Sequence, residues 1–493
     1  MSDNKKYVLG IDVGTTCTKS ILFDESGKIV SSSMMPYNTY NDIPLQMEQD
    51  ADDWYETLKS TVRDCLKSCD APQNVVAMCV STQGGTVVPV DQDIKPLRRA
   101  IVWSDDRCEK ERDEFIAEFG EPYLYEVSGW FICMGMPVLE SMWIKKNEPE
   151  VFEKTKYFLT VPTYVSYKLT GNIKVDVSNA GIDQFFDVRN LEYPQKLLDY
   201  VGISREMLPD VVNSGEIIGN LSQEAAKELG LTTNTILCTG AHDQYCVALG
   251  AGLLNPGDSM IGTGTSWVVT GIREKCPANH ASHISFSRHS VPGLWGGLIS
   301  LSSAGSSLKW FKNKCMPGGE DLDYKTLDEE CSKRVLHNKG LIYYPYMTAS
   351  NYPCATKDKG GSFIGLSFTH DIFDMALSVM EGIVFHTAWM LEAVCGSGLS
   401  SIKMTGGATN SKLWVQIVAN VTGLPIQIPS VADMGCVGAG MLAGIAGNVF
   451  ESYDDAAEKM APEYKTVMPD ENKAYYQEKY KKFKEKYGGI YES

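Results

Sequence analysis

Apolar positions from Tyr7 to Val13 alternate loosely in the rhythm of a β-strand, and Thr18 to Phe23 repeats that rhythm after a polar interruption. The interruption, Gly14-Thr15-Thr16, is a tight turn, and Asp24 to Gly27 turns the chain again, so the segment predicts a β-hairpin with a glycine-containing tip. Within residues 48–70, Trp54, Leu58, Val62 and Leu66 recur every four positions, the spacing of an amphipathic helix packed on a sheet. Asn74 to Val80 reads as a buried strand that runs into a small, polar loop, Ser81 to Thr86. Such strand ends are where α/β proteins gather ligands, which brings Gln83, Gly84 and Gly85 forward.

The strand, glycine-threonine turn, strand pattern returns at Ser259 to Thr270, which points to an internal duplication. Gly240-Ala-His-Asp243-Gln244 lies between the two copies and reads as a loop leading into an apolar, helix-like stretch, Val247 to Leu254. The fold class expected is therefore α/β, with similar units over 1–247 and 248–493 and a ligand cleft between them. The Lys- and Glu-dense run Tyr475 to Tyr487 reads as a solvated helix.

Composition agrees with this division. The chain has 493 residues, 43% of them hydrophobic, and single cores stop growing at about 250–300 residues. The formal net charge of −17 excludes a general phosphate-backbone surface of the nucleic-acid-binding kind, so an anionic ligand must be held locally by backbone amides or a metal ion. The start, Met-Ser-Asp-Asn-Lys-Lys, leads straight into a strand, and no stretch nears the roughly 18 uninterrupted apolar residues of a membrane span. Fourteen cysteines without a repeated spacing suggest reduced thiols, and with them a cytoplasmic location away from membranes. Cys276, His280 and His283 sit close together, but no fourth ligand follows in a matching motif, and a polar loop is the expected reading over zinc.

Three features converge on phosphoryl transfer. In Gly10-Ile-Asp12-Val-Gly14-Thr15-Thr16-Cys-Thr18-Lys19 the turn offers amides and hydroxyls to phosphate oxygens, and Asp12 is a carboxylate inside an apolar strand, costly unless paired or metal-bound. Gly262-Thr263-Gly264-Thr265-Ser266 is a matching cradle, and Thr405-Gly406-Gly407-Ala408-Thr409-Asn410-Ser411 is a glycine turn before a helix-like stretch, suited to an adenosine lying against backbone. Each turn alone is a weak signal.

Together they resemble the FGGY family of carbohydrate kinases, xylulokinases among them, whose fold is the actin-like, or ribonuclease-H-like, ATPase repeated in two domains. The resemblance spans nearly the whole chain and includes Trp103-Ser-Asp105-Asp106-Arg107, Leu169-Thr-Gly171 with Asp176, Gly240 to Gln244, Glu381-Gly382 and Gly435-Cys-Val-Gly438-Ala-Gly440. It implies ATP and Mg²⁺ as partners of the reaction and a small sugar as acceptor. It makes Asp243 the base that takes the proton from the attacking hydroxyl. It also implies Asp12 and Asp243 at the metal, and Gly14, Thr15, Thr16, Lys19, Gly262, Thr263, Gly264, Thr265, Gly406, Gly407, Ala408 and Ser411 at the nucleotide. Gln83, Gly84, Trp103, Asp105, Arg107 and Gln244 would line the sugar. Read without the resemblance, Asp243 is also a helix N-cap, and Asp105 and Arg107 a surface ion pair.

Departures bear on the acceptor. Xylulokinases carry Met-His at Gln83-Gly84, glycerol kinases an Arg-Glu pair in that loop, and the family's Gly-Glu-Arg-x-Pro segment is Ala349 to Pro353 here. Asp433 replaces a usual glutamate. A pentulose such as xylulose is the expected substrate; ribulose, erythritol, gluconate and an autoinducer-2-type acceptor are the alternatives, and a homodimer is one assembly compatible with the chain. A non-catalytic actin-like ATPase is the rival class, though it has no need of a sugar loop. His242 reads as a structural histidine, and Gly438 to Ala443 as a packed helix rather than a dinucleotide fingerprint. No P-loop or His-Arg-Asp loop occurs.

Overall fold

The structure is a computed structural model that describes residues 5–277, 284–338, 340–348, 350, 352–353, 360–431 and 433–491. His280, His283, Ala349 and Asn351 lie outside the described residues.

The hairpin predicted at the start forms between Tyr7–Val13 and Cys17–Asp24, antiparallel, with Asp12 opposite Lys19. Val75–Thr82 then pairs parallel to Tyr7–Val13, and Ile236–His242 parallel to Val75–Thr82. With Ile29–Pro36 and Ile217–Asn220 they complete a six-stranded sheet. The helix Ala51–Leu66 starts at Asp50, whose side chain accepts the Asp52 N–H, and buries Trp54, Leu58 and Val62 against it.

The second half repeats the plan. Asp258–Thr263 and Trp267–Arg273 form an antiparallel hairpin, and Ser401–Gly406 runs parallel to the first of these, as Val75–Thr82 does to Tyr7–Val13. This sheet has seven strands, extended at one edge by Ile426–Pro429 and Tyr464–Val467. The duplication is therefore structural, and the two halves are actin-like units of one α/β architecture.

Two helices join the halves through glycines. Asp243–Gly250 crosses Met434–Ala446 so closely that a Cβ on Gly250 would meet Met434 O at 2.1 Å and one on Gly438 would meet Cys246 O at 2.0 Å. Gly10 is equally tight, 2.0 Å from Cys436 O. The small-residue run at 435–440 is thus a packing surface, as expected. The division expected at 247/248 falls inside the helix Asp243–Gly250.

Two readings are corrected. Gly240 to His242 is the end of a strand rather than a loop, and Asp243 opens the helix directly. The C-terminal run forms the helix Lys473–Tyr491, but it is not simply solvated, because Tyr476, Tyr480, Phe483 and Tyr487 are buried in the second core. Their spacing of three to four is an apolar stripe made of aromatic residues. Lys479 is buried with them and donates to Glu381 Oε2 at 2.5 Å and to Asn338 O at 2.8 Å. The helix Ile372–Cys395 is long and apolar enough to cross a membrane, yet 83% of that window is buried inside the protein, as a core helix requires.

Candidate active site

Asp12 stands at the end of the first strand because the parallel pairing with Val75–Thr82 puts Ser81 beside it, and Ser81 Oγ donates to Asp12 Oδ1 at 2.8 Å. Burial, and then the negative charge of Asp243, push the Asp12 carboxyl up to about 6, against the weaker pull of the Ser81 bond and of Lys19. A Cβ on Gly435 would stand 3.2 Å from Asp12 Cγ, so the N-terminal end of Met434–Ala446 closes over the carboxylate. Lys19, expected at the nucleotide, pairs with Asp433 at 2.6 Å across a partly exposed contact that ties the hairpin to that helix.

The turn Gly14 to Thr16 is braced on both sides. Gly14 N–H donates to Cys17 O at 3.1 Å, Tyr37 Oη–H donates to Gly14 O, and Gln49 Nε2 donates to Thr15 O at 2.7 Å. Trp103 Nε1 donates to Thr15 Oγ1 at 3.0 Å, which locks the loop that carries Trp103 onto this turn. Thr16 is exposed.

The acceptor side is built from close backbone approaches. Gly85 has φ +68° and lies 2.8 Å, by its absent Cβ, from Gly135 O; Gly135 has φ +73° and lies 1.7 Å from Trp103 O. Only glycine fits such positions, and the stack leaves Trp103 49% exposed beside Gly85. Gln83 is buried, with its Nε2 donating to Gln49 Oε1 at 2.9 Å and its own Oε1 accepting no bond.

Asp105 and Arg107 depart from both earlier readings. They are not a surface pair: their side chains are 1% and 4% exposed, Arg107 Nη2 lies 2.7 Å from Asp105 Oδ2 and 2.9 Å from Glu48 Oε1, and Asp105 Oδ2 also accepts the Met47 N–H at 2.6 Å. Each charge is met inside the protein, below Trp143.

His242 holds the helix cap position, without a side-chain cap bond, and Asp243 is the first helical residue rather than the cap. His242 Nε2 lies 3.0 Å from Asp243 Oδ1. That oxygen is buried and accepts no hydrogen bond, while the Asp243 side chain is 28% exposed. Gln244 is half-buried behind it.

In the second unit Thr263, Gly264, Thr265, Gly407, Ala408 and Ser411 line one cavity of about 1140 Å³. Thr263 Oγ1 staples its two turns, donating to Thr405 O at 2.6 Å and accepting the Ala408 N–H at 3.1 Å. Gly406, at φ +90°, would carry a Cβ 2.0 Å from Thr263 O. Gly262 sits on the strand behind the cavity, opposite Val268. Other wall residues, Gly305, Ser306, Trp310, Asn313 and Asp328 among them, are invisible to motif reading, since they come from short helices between the strands Trp295–Leu301 and Ser401–Gly406. Trp310 is half-exposed on that wall, between the buried Leu308 and Phe311. Ser81, Gln49 and Tyr37 were likewise missed, because pairing and chain return, not spacing, bring them to the turn.

No group of three or more metal-ligating side chains occurs among the described residues, and Cys276 instead takes a bond from Arg189 Nη2 at 3.0 Å. Asp12 and Asp243, two carboxylates near enough for the charge of Asp243 to raise the Asp12 carboxyl, do fit a small hard cation that draws its remaining ligands from phosphate and water.

Comparison with known proteins decides the family. Residues 7–250 match the N-terminal domain of the FGGY family of carbohydrate kinases, and residues 259–447 its C-terminal domain. The chain belongs to the FGGY carbohydrate kinases. A xylulose kinase of Bacillus subtilis is 28% identical over 489 residues, covering 99% of this chain and 97% of the relative. A gluconokinase of the same organism is 25% identical over 487 residues, with 94% of each covered. The crystal structure of xylulose kinase from Rhodospirillum rubrum superposes with a TM-score of 0.90 at 24% identity, covering 98% of this chain and 99% of that one, which shows the shared fold. A carbohydrate kinase of this family accounts for both glycine-rich cradles and for the cavity beside the second of them.

Proposed function

We propose that the protein transfers the γ-phosphate of ATP to a hydroxyl of a pentulose such as xylulose, with Asp243 as the base. The observation that carries this is the pair of carboxylates, Asp12 and Asp243, at the ends of two strands that flank Val75–Thr82 in one sheet and near enough for the charge of Asp243 to raise the Asp12 carboxyl. Asp12, with Asp243, would hold Mg²⁺ against the ATP phosphates, where the cation offsets phosphate charge. The nucleotide would lie in the cavity between Thr263 to Thr265 and Gly407 to Ser411, its base against Trp310.

The exposed oxygen of Asp243 accepts the proton of the acceptor hydroxyl as that oxygen bonds to the γ-phosphorus and the bond to the β-phosphate oxygen breaks, releasing ADP. In a loose transition state positioning does most of the work. Trp103, Gln83 and Gln244 would face the sugar. Asp105 and Arg107 would act from beneath by bracing the Trp103 loop. Closure of the two units over the cleft would exclude water, the competing nucleophile. The relatives' names favour a ketose, and the gluconokinase keeps an aldonic acid in the test panel.

A coupled ADP-release assay over ketoses, polyols and aldonic acids tests the reading. ADP release should rise with a pentulose, and Asp243→Asn should lower kcat by about a thousandfold or more while the KM for ATP stays within a few-fold. ADP release blind to every sugar would instead mark a non-catalytic ATPase, and an active Asp243→Asn would remove the base.

A further inference from the structure

Gly84 and His242 face each other across the acceptor side of the cleft. A Cβ on residue 84 would stand 2.8 Å from His242 Cδ2 and 2.7 Å from Ile182 Cδ1, closer than side-chain carbons approach. An imidazole at 242 in this orientation and a side chain at 84 therefore exclude one another. The ring is also held from behind. The backbone N–H of His242 donates to Ser178 Oγ at 2.9 Å and so fixes the main chain that carries the ring, and Asp176 fixes Ser178 by accepting its N–H at 2.9 Å. Trp130 and Tyr245 meet the ring edge to face, with centroids 5.9 and 5.8 Å away. Fixed in this way, the ring puts Nε2 3.0 Å from the buried Asp243 Oδ1, an oxygen that accepts no hydrogen bond. The second imidazole nitrogen, Nδ1, is buried and unpartnered, so the ring is not anchored there by a structural hydrogen bond.

We propose that His242 is a positioning residue for the base. Its Nε2–H steadies the buried oxygen of Asp243 and leaves the other oxygen turned to the acceptor hydroxyl, and glycine at 84 makes room for the ring. The inference rests on Asp243 being the base. It reassigns a histidine that the sequence alone treats as structural.

The test compares His242→Gln, whose amide nitrogen reaches the place of Nε2, with His242→Asn, which reaches only the place of Nδ1, and with His242→Ala and Gly84→Ala. All are assayed for ADP release with saturating Mg-ATP and the best acceptor from the panel. His242→Ala and His242→Asn should lower kcat by about 20-fold or more, with the KM for ATP and the melting temperature close to wild type. His242→Gln should stay within about fivefold of wild type. Gly84→Ala should lower kcat by displacing the ring, and His242→Ala/Gly84→Ala should be no worse than His242→Ala alone. A folded His242→Ala with full kcat overturns the proposal, as do equal losses in the Gln and Asn variants or an unimpaired Gly84→Ala. If His242→Ala fails to fold, the Gln against Asn contrast decides. Full activity in His242→Ala beside a dead Asp243→Asn would sink this inference alone, whereas an active Asp243→Asn would sink the base itself.

Discussion

Asp12→Asn should abolish kinase activity and make the protein more stable, and the structure sets the size of that gain. Burial and Asp243 raise the Asp12 carboxyl from 3.8 to about 6, so folding must ionise it at a cost. The folded-state pKa lies above the unfolded one, so the protonated form is favoured by folding; that contribution is whole below pH 3.8 and lost as pH rises through 6. Asparagine mimics the protonated form, keeps an acceptor for Ser81 Oγ–H and offers a donor toward Asp243. Linkage then gives Asp12→Asn an advantage of about 3 kcal/mol at pH 7.5, falling to about 1.6 at pH 5 and about 0.5 at pH 4. Urea unfolding with EDTA, followed at those three pH values beside wild type, reads this directly. Equal stability at pH 7.5, or a gap that does not shrink toward pH 4, would refute the argument that Asp12 is held charged at a cost. In the same frame, kcat/KM for Mg-ATP in the wild type should fall as pH drops below about 6.

Gly438→Ala puts a methyl 2.0 Å from Cys246 O at the helix crossing, and should lower stability by about 1–3 kcal/mol or more, seen as a lower melting temperature and soluble yield. Lys479→Met strands Glu381 in the core and should cost about 3–5 kcal/mol, while Lys479→Met/Glu381→Met should recover most of it, by urea titration at pH 7. Trp103→Phe removes the bond to Thr15 Oγ1 and should raise the KM for the acceptor several-fold in the coupled assay while leaving the melting temperature near wild type.

Local chemistry is what the sequence states openly. Glycine and threonine turns, the strand periods around them, and the lone carboxylate of Asp12 were legible because each depends on neighbours a few residues away. The repeat of that local pattern was enough to predict two like halves, and Asp243 stood out through its place between them. Tertiary structure decided what distant residues make of one another. Asp105 and Arg107 look like a surface ion pair until Glu48 and Met47 come back to bury them. Lys19 shows no partner in its own stretch of chain, and Asp433, more than four hundred residues on, supplies one. Gly84 marks only an absence in the sequence. Beside His242, the missing Cβ is the space the ring needs, and only folding brings the two strand ends together.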